Sequence, residues 1–422
     1  MLKKFIPKSS YARNVITLMT GTGLAQAIPI AISPILTRLY SPEDFGIFGL
    51  YMAIVAIASV LVTGRYELAI LLPRNDRDAL HIVALAIGLS AAVSALLLVV
   101  VLVFNGPITQ LLGASDIAPW LYWVPASTVL MGIYTSLNYW SNRKGQYRRL
   151  AVSRVVQTSG TSATQLGAAF LRSGPAGLVV GQLTGQLIAS SFLARMIYRE
   201  DQNQIKILRW GRVRALARKY IDLPKYMIAG QLMNTLSGHL PLLLLSVLFG
   251  PAVAGLYSLS QRVLVAPSSL IGGAIGDVYR SEASKIYRET GNCFEIFQKT
   301  IKKLTAVSIL LVLPIFLFGK NIFSVVFGEN WSEAGEVASI ISIMVFFQSI
   351  SSPLSQTVLF ANKQKLDLVW QSLRLFLAVS SLYIGNYFFS AYKVALLLFA
   401  ISFAFLYLLH LLFQYAVAKG WR

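Results

Sequence analysis

The chain alternates between long runs of apolar residues and short polar gaps along almost its whole length. A helix needs roughly 20 apolar residues to cross the hydrocarbon core of a bilayer. Barrel strands are excluded, because they are roughly ten residues long with an alternating pattern. The pattern therefore predicts twelve transmembrane helices, at approximately 14–40, 44–72, 79–104, 117–140, 149–171, 175–198, 224–249, 252–279, 301–319, 335–361, 366–389 and 392–417.

The composition favours the same interpretation. Hydrophobic residues make up 56% of the 422 residues, and charged residues only 13%. Soluble proteins usually carry about 25% charged residues. Twelve spans occupy nearly the whole chain, so no soluble domain is expected. We therefore predict an all-α integral membrane protein.

The basic residues predict an orientation in the membrane. The net charge of +20 would also suit a nucleic-acid-binding protein, but 28 of the 37 Lys and Arg lie at the termini or in gaps after even-numbered spans. Arg172, Lys320 and Lys393 are exceptions, and no long basic soluble segment marks a nucleic-acid site. The positive-inside rule places both termini and the even-numbered gaps in the cytoplasm.

The sequence shows no pattern of a catalytic or metal site. Cys293 is the single cysteine, so no intrachain disulfide can form and no Cys/His cluster predicts a metal. The HExxH, GxSxG and phosphate-binding Gly-Lys motifs are all missing from the sequence. The first apolar run is too long for a signal-peptide core and lacks a cleavage site. We therefore expect an uncleaved first helix, no cofactor and no enzymatic activity.

The longest polar stretch divides the chain into two halves of six spans. We predict an N-terminal lobe at 1–198, a basic cytoplasmic linker at 199–223 and a C-terminal lobe at 224–422. Basic and apolar residues of the linker are spaced as in an amphipathic helix lying on the inner leaflet. A solvated linker is the alternative.

The two halves resemble each other in sequence. Residues 36–50 align with 245–259, and the identical positions include Pro42/Pro251 and Gly46/Gly255. Because six spans separate the segments, both halves begin on the same side of the membrane. This predicts a parallel repeat about a pseudo-twofold axis along the membrane normal, with a site between the halves. Prolines that interrupt the helices beginning each half suit a transporter with rocking lobes.

Ionisable residues inside predicted spans are the main site candidates, because they cost several kcal/mol to insert and usually face a cavity or a partner. They are Arg65, Glu67, Arg154, His239, Arg262, Asp277 and Arg374. Arg154 could reach the head groups, and Asp277 could pair with Arg280. Arg262 lies about ten residues, or roughly 15 Å, inside its helix.

Arg262 lies on a face of small and polar residues. Gln26 in span one and Asn234 and His239 in span seven lie on comparable faces. Close helix packing is the alternative explanation for such faces. For His239, a hydrogen-bonded core histidine is equally plausible.

Glu67 continues a polar stripe with Ser59 and Thr63, at steps of four residues. Arg65 is separated from it by about 200° around a helix, so the two are not expected to pair. A carboxylate on a cavity face can bind H⁺ or Na⁺. Alternatively, Glu67 is a salt-bridge latch between helices.

Four stretches carry a family resemblance: LTRLYSPEDFGIFGLY (36–51), GRYELAILLP (64–73), VLFGPAVAGLYSLSQRVLVAPSSLIG (247–272) and FGENWSEAG (327–335). Through them the sequence resembles the Wzx-type O-antigen flippases of the multidrug/oligosaccharidyl-lipid/polysaccharide exporter superfamily. The resemblance implies a MATE-like plan of two six-helix lobes in the bacterial inner membrane. It implies movement of an undecaprenyl-pyrophosphate-linked oligosaccharide (an O-antigen, capsule or exopolysaccharide unit) to the periplasmic leaflet by ion-coupled alternating access.

Such a substrate carries a pyrophosphate, which arginine binds with fixed charge and bidentate geometry. We therefore expect Glu67 to couple H⁺ or Na⁺, and six residues to bind substrate: Arg262, Arg65, Arg374, His239, Gln26 and Asn234. Expected partners are membrane lipids, a polysaccharide polymerase and a chain-length regulator. One alternative is a drug or cation exporter, whose cavity should be acidic or aromatic. Another is a membrane-embedded enzyme of envelope polysaccharide assembly.

Overall fold

The computed structural model describes residues 10–171, 173–205, 208–360 and 364–420, and within these ranges every regular element is a helix. Several basic residues used in the charge argument lie outside them: Lys3, Lys4, Lys8, Arg172, Lys363 and Arg422. The first eight α-helices are α1 (Ser10–Leu39), α2 (Pro42–Val62), α3 (Asp76–Leu111), α4 (Ala118–Leu121), α5 (Val124–Arg143), α6 (Tyr147–Phe170), α7 (Pro175–Ile205) and α8 (Trp210–Lys219). The others are α9 (Asp222–Phe249), α10 (Pro251–Thr290), α11 (Phe294–Phe327), α12 (Ser332–Leu354), α13 (Gln356–Phe360), α14 (Gln364–Phe389) and α15 (Tyr392–Ala418).

A long helix stands at each of the twelve predicted spans, so the prediction of an all-α membrane protein is confirmed. Within the described ranges, eight helical stretches are long and apolar enough to cross a membrane. They are Met19–Leu39, Pro42–Val62, Asp76–Leu111, Pro175–Glu200, Asp222–Phe249, Phe294–Phe327, Glu329–Val358 and Tyr392–Ala418. The other four long helices, α5, α6, α10 and α14, have 20 to 40 residues and a more polar composition.

The second predicted span ends earlier than its apolar pattern suggests. Helix α2 stops at Val62, and Gly64 and Arg65 take left-handed backbone conformations, with φ of 57° and 62°. A 3₁₀ helix then follows at Tyr66–Leu71. Because of this break, side chains after Thr63 point in other directions than they would on a continuous α2.

The chain divides into two compact units. Unit 1 contains the described residues up to Tyr40 together with Leu50–Leu236, and unit 2 contains Ser41–Gly49 with Ser237–Arg422. In unit 1, α6 packs along α1 and α7, and α3 packs against α5. In unit 2, α12 packs against α10, α11 and α15, and α14 lies on α15.

The matched prolines and glycines of the repeat meet each other in unit 2. A Cβ atom on Gly46 would lie 1.8 Å from the carbonyl oxygen of Pro251, and one on Gly255 would lie 1.8 Å from that of Pro42. Each copy of the repeated segment thus packs its glycine on the proline of the other copy. Any larger residue at either glycine would displace backbone.

The amphipathic helix predicted in the linker is α8, and two of its apolar residues are covered by protein. Val213 and Leu216 are buried, and Tyr66 Oη donates a hydrogen bond to the Ala217 carbonyl at 2.9 Å. Arg212 binds both carboxylate oxygens of Asp78 at 2.8 and 2.7 Å. The basic residues face outward, and Val213 and Leu216 pack into unit 1, whereas Trp210 at the start of α8 is 81% exposed.

Candidate functional site

A polar cavity of about 270 Å³ lies in unit 1 where α2 gives way to the 3₁₀ helix. Its walls come from α2, the 3₁₀ segment, α5 and α9. Its polar lining consists of Ser59, Thr63, Arg65, Glu67, Thr135, Gln231 and Thr235. The predicted stripe of Ser59, Thr63 and Glu67 therefore lies on one wall of a cavity.

Arg65 and Glu67 form an ion pair in this cavity, with Arg65 Nη1 at 3.1 Å from Glu67 Oε1. The expectation that these residues could not pair is wrong, because it assumed a helix continuing past Val62. Thr63 Oγ1 donates a hydrogen bond to the other carboxylate oxygen of Glu67. Arg65 Nε is buried and has no hydrogen-bond partner among the described residues.

Arg262 lies in α10, in unit 2, and is half-buried. It makes neither an ion pair nor a hydrogen bond within the part of the chain that the structure describes. Ser269 and Gly273 lie on the same face of α10 as Arg262, the face of small and polar residues predicted from the sequence. Both line a second cavity of about 250 Å³ between α10 and α12. Part of this face of α10 therefore borders a cavity and is not fully covered by neighbouring helices.

The other predicted site residues are dispersed. Gln26 and Asn234 are exposed and lie outside the lining of the unit 1 cavity. His239 is half-buried in unit 2. Arg374 Cζ lies 5.9 Å from the ring centre of Tyr407, and its Nε is buried without a described partner. Among the predicted residues of unit 1, Arg65 and Glu67 line one cavity and contact each other.

Two further ionisable residues of the spans have local partners. Arg154 Nη1 donates to Thr22 Oγ1, which joins α6 to α1. This contact gives Arg154 a partner within unit 1, and the prediction that it reaches the head groups stays a prediction. Asp277 pairs with Arg280 at 3.3 Å near the protein surface, as predicted.

A family model described as "Polysaccharide biosynthesis protein" matches residues 35–336, well over half of the chain. The chain belongs to this family. A curated relative, the succinoglycan biosynthesis transport protein ExoT of Rhizobium meliloti (strain 1021), is 21% identical over 315 residues. The alignment covers 74% of this chain but only 61% of the length of ExoT.

Solved structures show the fold of this family member. The lipid II flippase MurJ in an inward closed conformation has a TM-score of 0.73 at 12% identity, covering 94% of this chain and 87% of MurJ. An inward-facing MATE multidrug resistance transporter has a TM-score of 0.69 at 12% identity, covering 94% and 93%. The MATE transporter DinF-BH has a TM-score of 0.64 at 15% identity, covering 96% and 95%. The MATE-like fold is therefore confirmed.

The family match and the long apolar helices together identify a multi-pass membrane protein of a polysaccharide biosynthesis family. One group of buried polar residues in unit 2, formed by Ser351, His410 and Gln414, was not among the site residues predicted from the sequence. Their signal was present, since His410 and Gln414 lie at helical i, i+4 spacing inside the apolar last span. Ser351 lies on a different helix, α12, so only the structure shows that it contacts His410.

Proposed function

We propose that this protein is a flippase for an undecaprenyl-pyrophosphate-linked oligosaccharide, the repeat unit of an O-antigen, capsule or exopolysaccharide. It moves this substrate from the cytoplasmic to the periplasmic leaflet of the bacterial inner membrane. Both of its termini lie in the cytoplasm, and it is a transporter without enzymatic activity. A polysaccharide polymerase and a chain-length regulator are its expected partners.

The observation that carries the proposal is Arg262, a half-buried cation without an ion pair among the described residues. A charged side chain within a membrane helix is costly and usually has a partner. A pyrophosphate supplies that partner, because guanidinium binds phosphate oxygens in a bidentate, charge-assisted way. The lipid tail can stay in the bilayer while the head group moves along a polar path.

The remaining predicted residues serve as additional contacts for the head group. Arg65 and Arg374 each hold a buried Nε without a described partner, so each can donate one more hydrogen bond. His239, Gln26 and Asn234 offer neutral donors and acceptors that suit sugar hydroxyl groups.

Glu67 is the proposed coupling residue, and its ion pair with Arg65 suggests how coupling works. A proton or Na⁺ that binds Glu67 competes with Arg65 for the carboxylate. The released guanidinium is then available to an anionic substrate. Binding of the ion and binding of the substrate are thereby linked, and linkage is reciprocal. In this scheme the Arg65–Glu67 ion pair is both the salt-bridge latch and the ion-coupling site.

The test uses proteoliposomes that contain the purified protein and undecaprenyl-pyrophosphate oligosaccharide in the inner leaflet. The measurement is the fraction of glycan that becomes accessible to a membrane-impermeant lectin under an imposed H⁺ or Na⁺ gradient. We expect wild-type protein to raise this fraction and Arg262→Ala to abolish the rise, whereas Arg280→Ala should behave as wild type.

Two results would contradict the proposal. A chemically altered glycan in these vesicles would indicate the membrane-enzyme alternative. Gradient-driven efflux of a cationic dye, without any movement of the lipid-linked oligosaccharide, would indicate the drug-exporter alternative.

A further inference from the structure

His410 is a buried titratable residue of unit 2 that the proposed substrate and coupling sites do not use. It lies on α15, about two turns before the helix ends at Ala418, and is 8% exposed. Its Nδ1 lies 3.0 Å from Ser351 Oγ on α12 and 3.1 Å from Gln414 Nε2. Its ring stacks on Trp370 of α14, with ring centres 4.1 Å apart and an interplanar angle of 18°.

We propose that His410 is a second ion-binding site, at which the imidazole takes up and releases a proton during the transport cycle. Proton binding stands on the geometry of unit 2 alone, whereas its coupling to movement of the lipid-linked oligosaccharide rests on the function proposed above. Histidine suits this task because its unperturbed pKa lies near physiological pH.

The hydrogen-bond partners of His410 can serve both the neutral and the protonated ring. In the neutral ring, Nδ1 accepts a hydrogen bond from the Gln414 amide nitrogen, which also donates to the Ser351 carbonyl at 3.1 Å. In the protonated ring, Nδ1–H donates to Ser351 Oγ, since a hydroxyl group can rotate to accept.

Gln414 supplies an unused acceptor for the protonated state. Its side chain is fully buried, and its Oε1 has no hydrogen-bond partner among the described residues. Half a turn of the amide brings Oε1 toward the imidazole in place of Nε2, and the Ser351 carbonyl then gives up the hydrogen bond that it accepts from Nε2. A buried acceptor without a partner is unfavourable, and a hydrogen bond from the protonated ring would satisfy Oε1.

Trp370 provides a second feature that favours the cation. A cation over the face of an indole ring is attracted by the quadrupole of the ring, and this attraction is stronger when the pair is desolvated. The neighbouring residue that opposes protonation is Arg374, one turn along α14 from Trp370, which lies over the Tyr407 ring. Because Trp370 favours the protonated His410 ring and Arg374 disfavours it, the ring can release its proton as well as bind it.

The other helices around α15 contribute few charges to the site. The acids of α12, Glu333 and Glu336, lie about four turns or more from Ser351, and Glu336 pairs with Lys393 at 2.5 Å. Helix α13 carries no ionisable residue. Helix α11 meets α15 through Phe294 and Phe297 against Tyr415. Two charged residues at the start of α14, Lys365 and Asp367, have side chains outside the described set.

The chain has only three histidines, so NMR can test proton binding directly. The experiment records long-range ¹H–¹⁵N spectra of ¹⁵N-histidine-labelled protein in nanodiscs across a pH series. Assignments come from His81→Gln, His239→Gln and His410→Gln. We expect the His410 nitrogens to titrate between about pH 5 and pH 8. If wild-type His410 keeps one neutral tautomer throughout this range, the residue is structural and the proton site is refuted.

Trp370 gives an independent readout of the same proton. An imidazolium ring quenches the fluorescence of a stacked indole, so acidification should lower the Trp370 emission. This pH-dependent component should vanish in His410→Gln and in Trp370→Phe and should persist in Tyr387→Phe, which changes an exposed aromatic residue of the same helix. A component that persists in His410→Gln argues against proton uptake by His410.

The coupling role is tested in the proteoliposomes described above. His410→Gln should still bind the lipid-linked oligosaccharide but should lose the acceleration caused by a pH gradient. Equal acceleration in His410→Gln and wild type would refute the coupling role. If wild type moves no oligosaccharide, the proposed function fails, and the NMR titration still decides whether His410 binds a proton.

Discussion

Arg65 Nη1 lies 3.1 Å from Glu67 Oε1, although the two residues are only two positions apart in the chain. On a continuous helix, side chains at this spacing point about 200° apart. They meet here because α2 ends at Val62 and two left-handed residues turn the backbone back on itself. The charge pair is therefore a product of the helix break. Glu67 is 3% exposed and Arg65 is 20% exposed, so water screens the pair poorly.

Replacing Glu67 by glutamine should uncouple transport from the ion gradient. The amide keeps the size of the side chain but cannot take up a proton or hold Na⁺ in the same way. We expect Glu67→Gln to bind the lipid-linked oligosaccharide and to lose gradient-driven movement in the lectin assay. Ser59→Ala, on the same cavity wall, is the control. Movement that remains gradient-dependent in Glu67→Gln would rule out the coupling role.

The ion pair should also contribute to stability. Removing one partner of a buried ion pair costs about 3–5 kcal/mol, because the other charge stays buried and unpaired. We expect Arg65→Met to lower the free energy of unfolding toward the lower end of this range, because Arg65 retains some exposure. The double variant Arg65→Met/Glu67→Gln should recover part of that loss. Denaturation in detergent, analysed as a double-mutant cycle, measures the coupling; additive losses would show that the two charges are independent.

Arg262→Ala should abolish complementation of a flippase-null strain while the protein still inserts in the membrane. Arg262→Lys should keep part of the activity, because it retains the charge but not the bidentate geometry. Arg280→Ala serves as the control, since Arg280 is exposed and pairs with its near neighbour Asp277 on the same helix. The measurements are surface polysaccharide and membrane-fraction protein level. Full complementation by Arg262→Ala would make this arginine structural.

The crossing at Gly46 should tolerate no side chain. A Cβ atom there would lie 1.8 Å from the Pro251 carbonyl oxygen, so the backbone must move. Overpacking usually costs about 1–3 kcal/mol, and we expect Gly46→Ala to reach or exceed the upper value. At Gly49, the nearest contacts of a Cβ are side-chain atoms at 3.4 Å, so Gly49→Ala is the matched control. Thermal unfolding in detergent compares them; equal midpoints would argue against the close crossing.

The orientation in the membrane can be tested with reporter fusions. Asp76 at the start of α3 binds Arg143 and Lys144 at the end of α5, so these two helix ends share one side of unit 1. The charge distribution predicts that this side is cytoplasmic. Fusions at Asn142 and Gln204 should report the cytoplasm, and fusions at Asn105 and Asn330 the periplasm. A periplasmic signal at Gln204 would contradict a parallel repeat.

Part of the candidate site was predictable from sequence. The stripe of Ser59 and Thr63 was visible because Ser59 lies on α2 and Thr63 directly follows its last residue, Val62, so the helical spacing still holds there. The prediction failed for Arg65, which lies beyond the break. Gly64 is compatible with a helix in sequence, and only the surrounding packing decides that the backbone turns left-handed there.

The sequence by itself determined the fold class, the number of long helices and the matched Pro-Gly positions of the two halves. The physical reason is that lipid cannot satisfy backbone hydrogen bonds, so long apolar runs must become helices. Tertiary structure alone decided which residues meet: Arg65 with Glu67, Val213 and Leu216 of α8 with the rest of unit 1, and His410 with Ser351 and Trp370. Those contacts depend on a local helix break or on segments far apart in the chain, and periodicity along one helix contains no information about either.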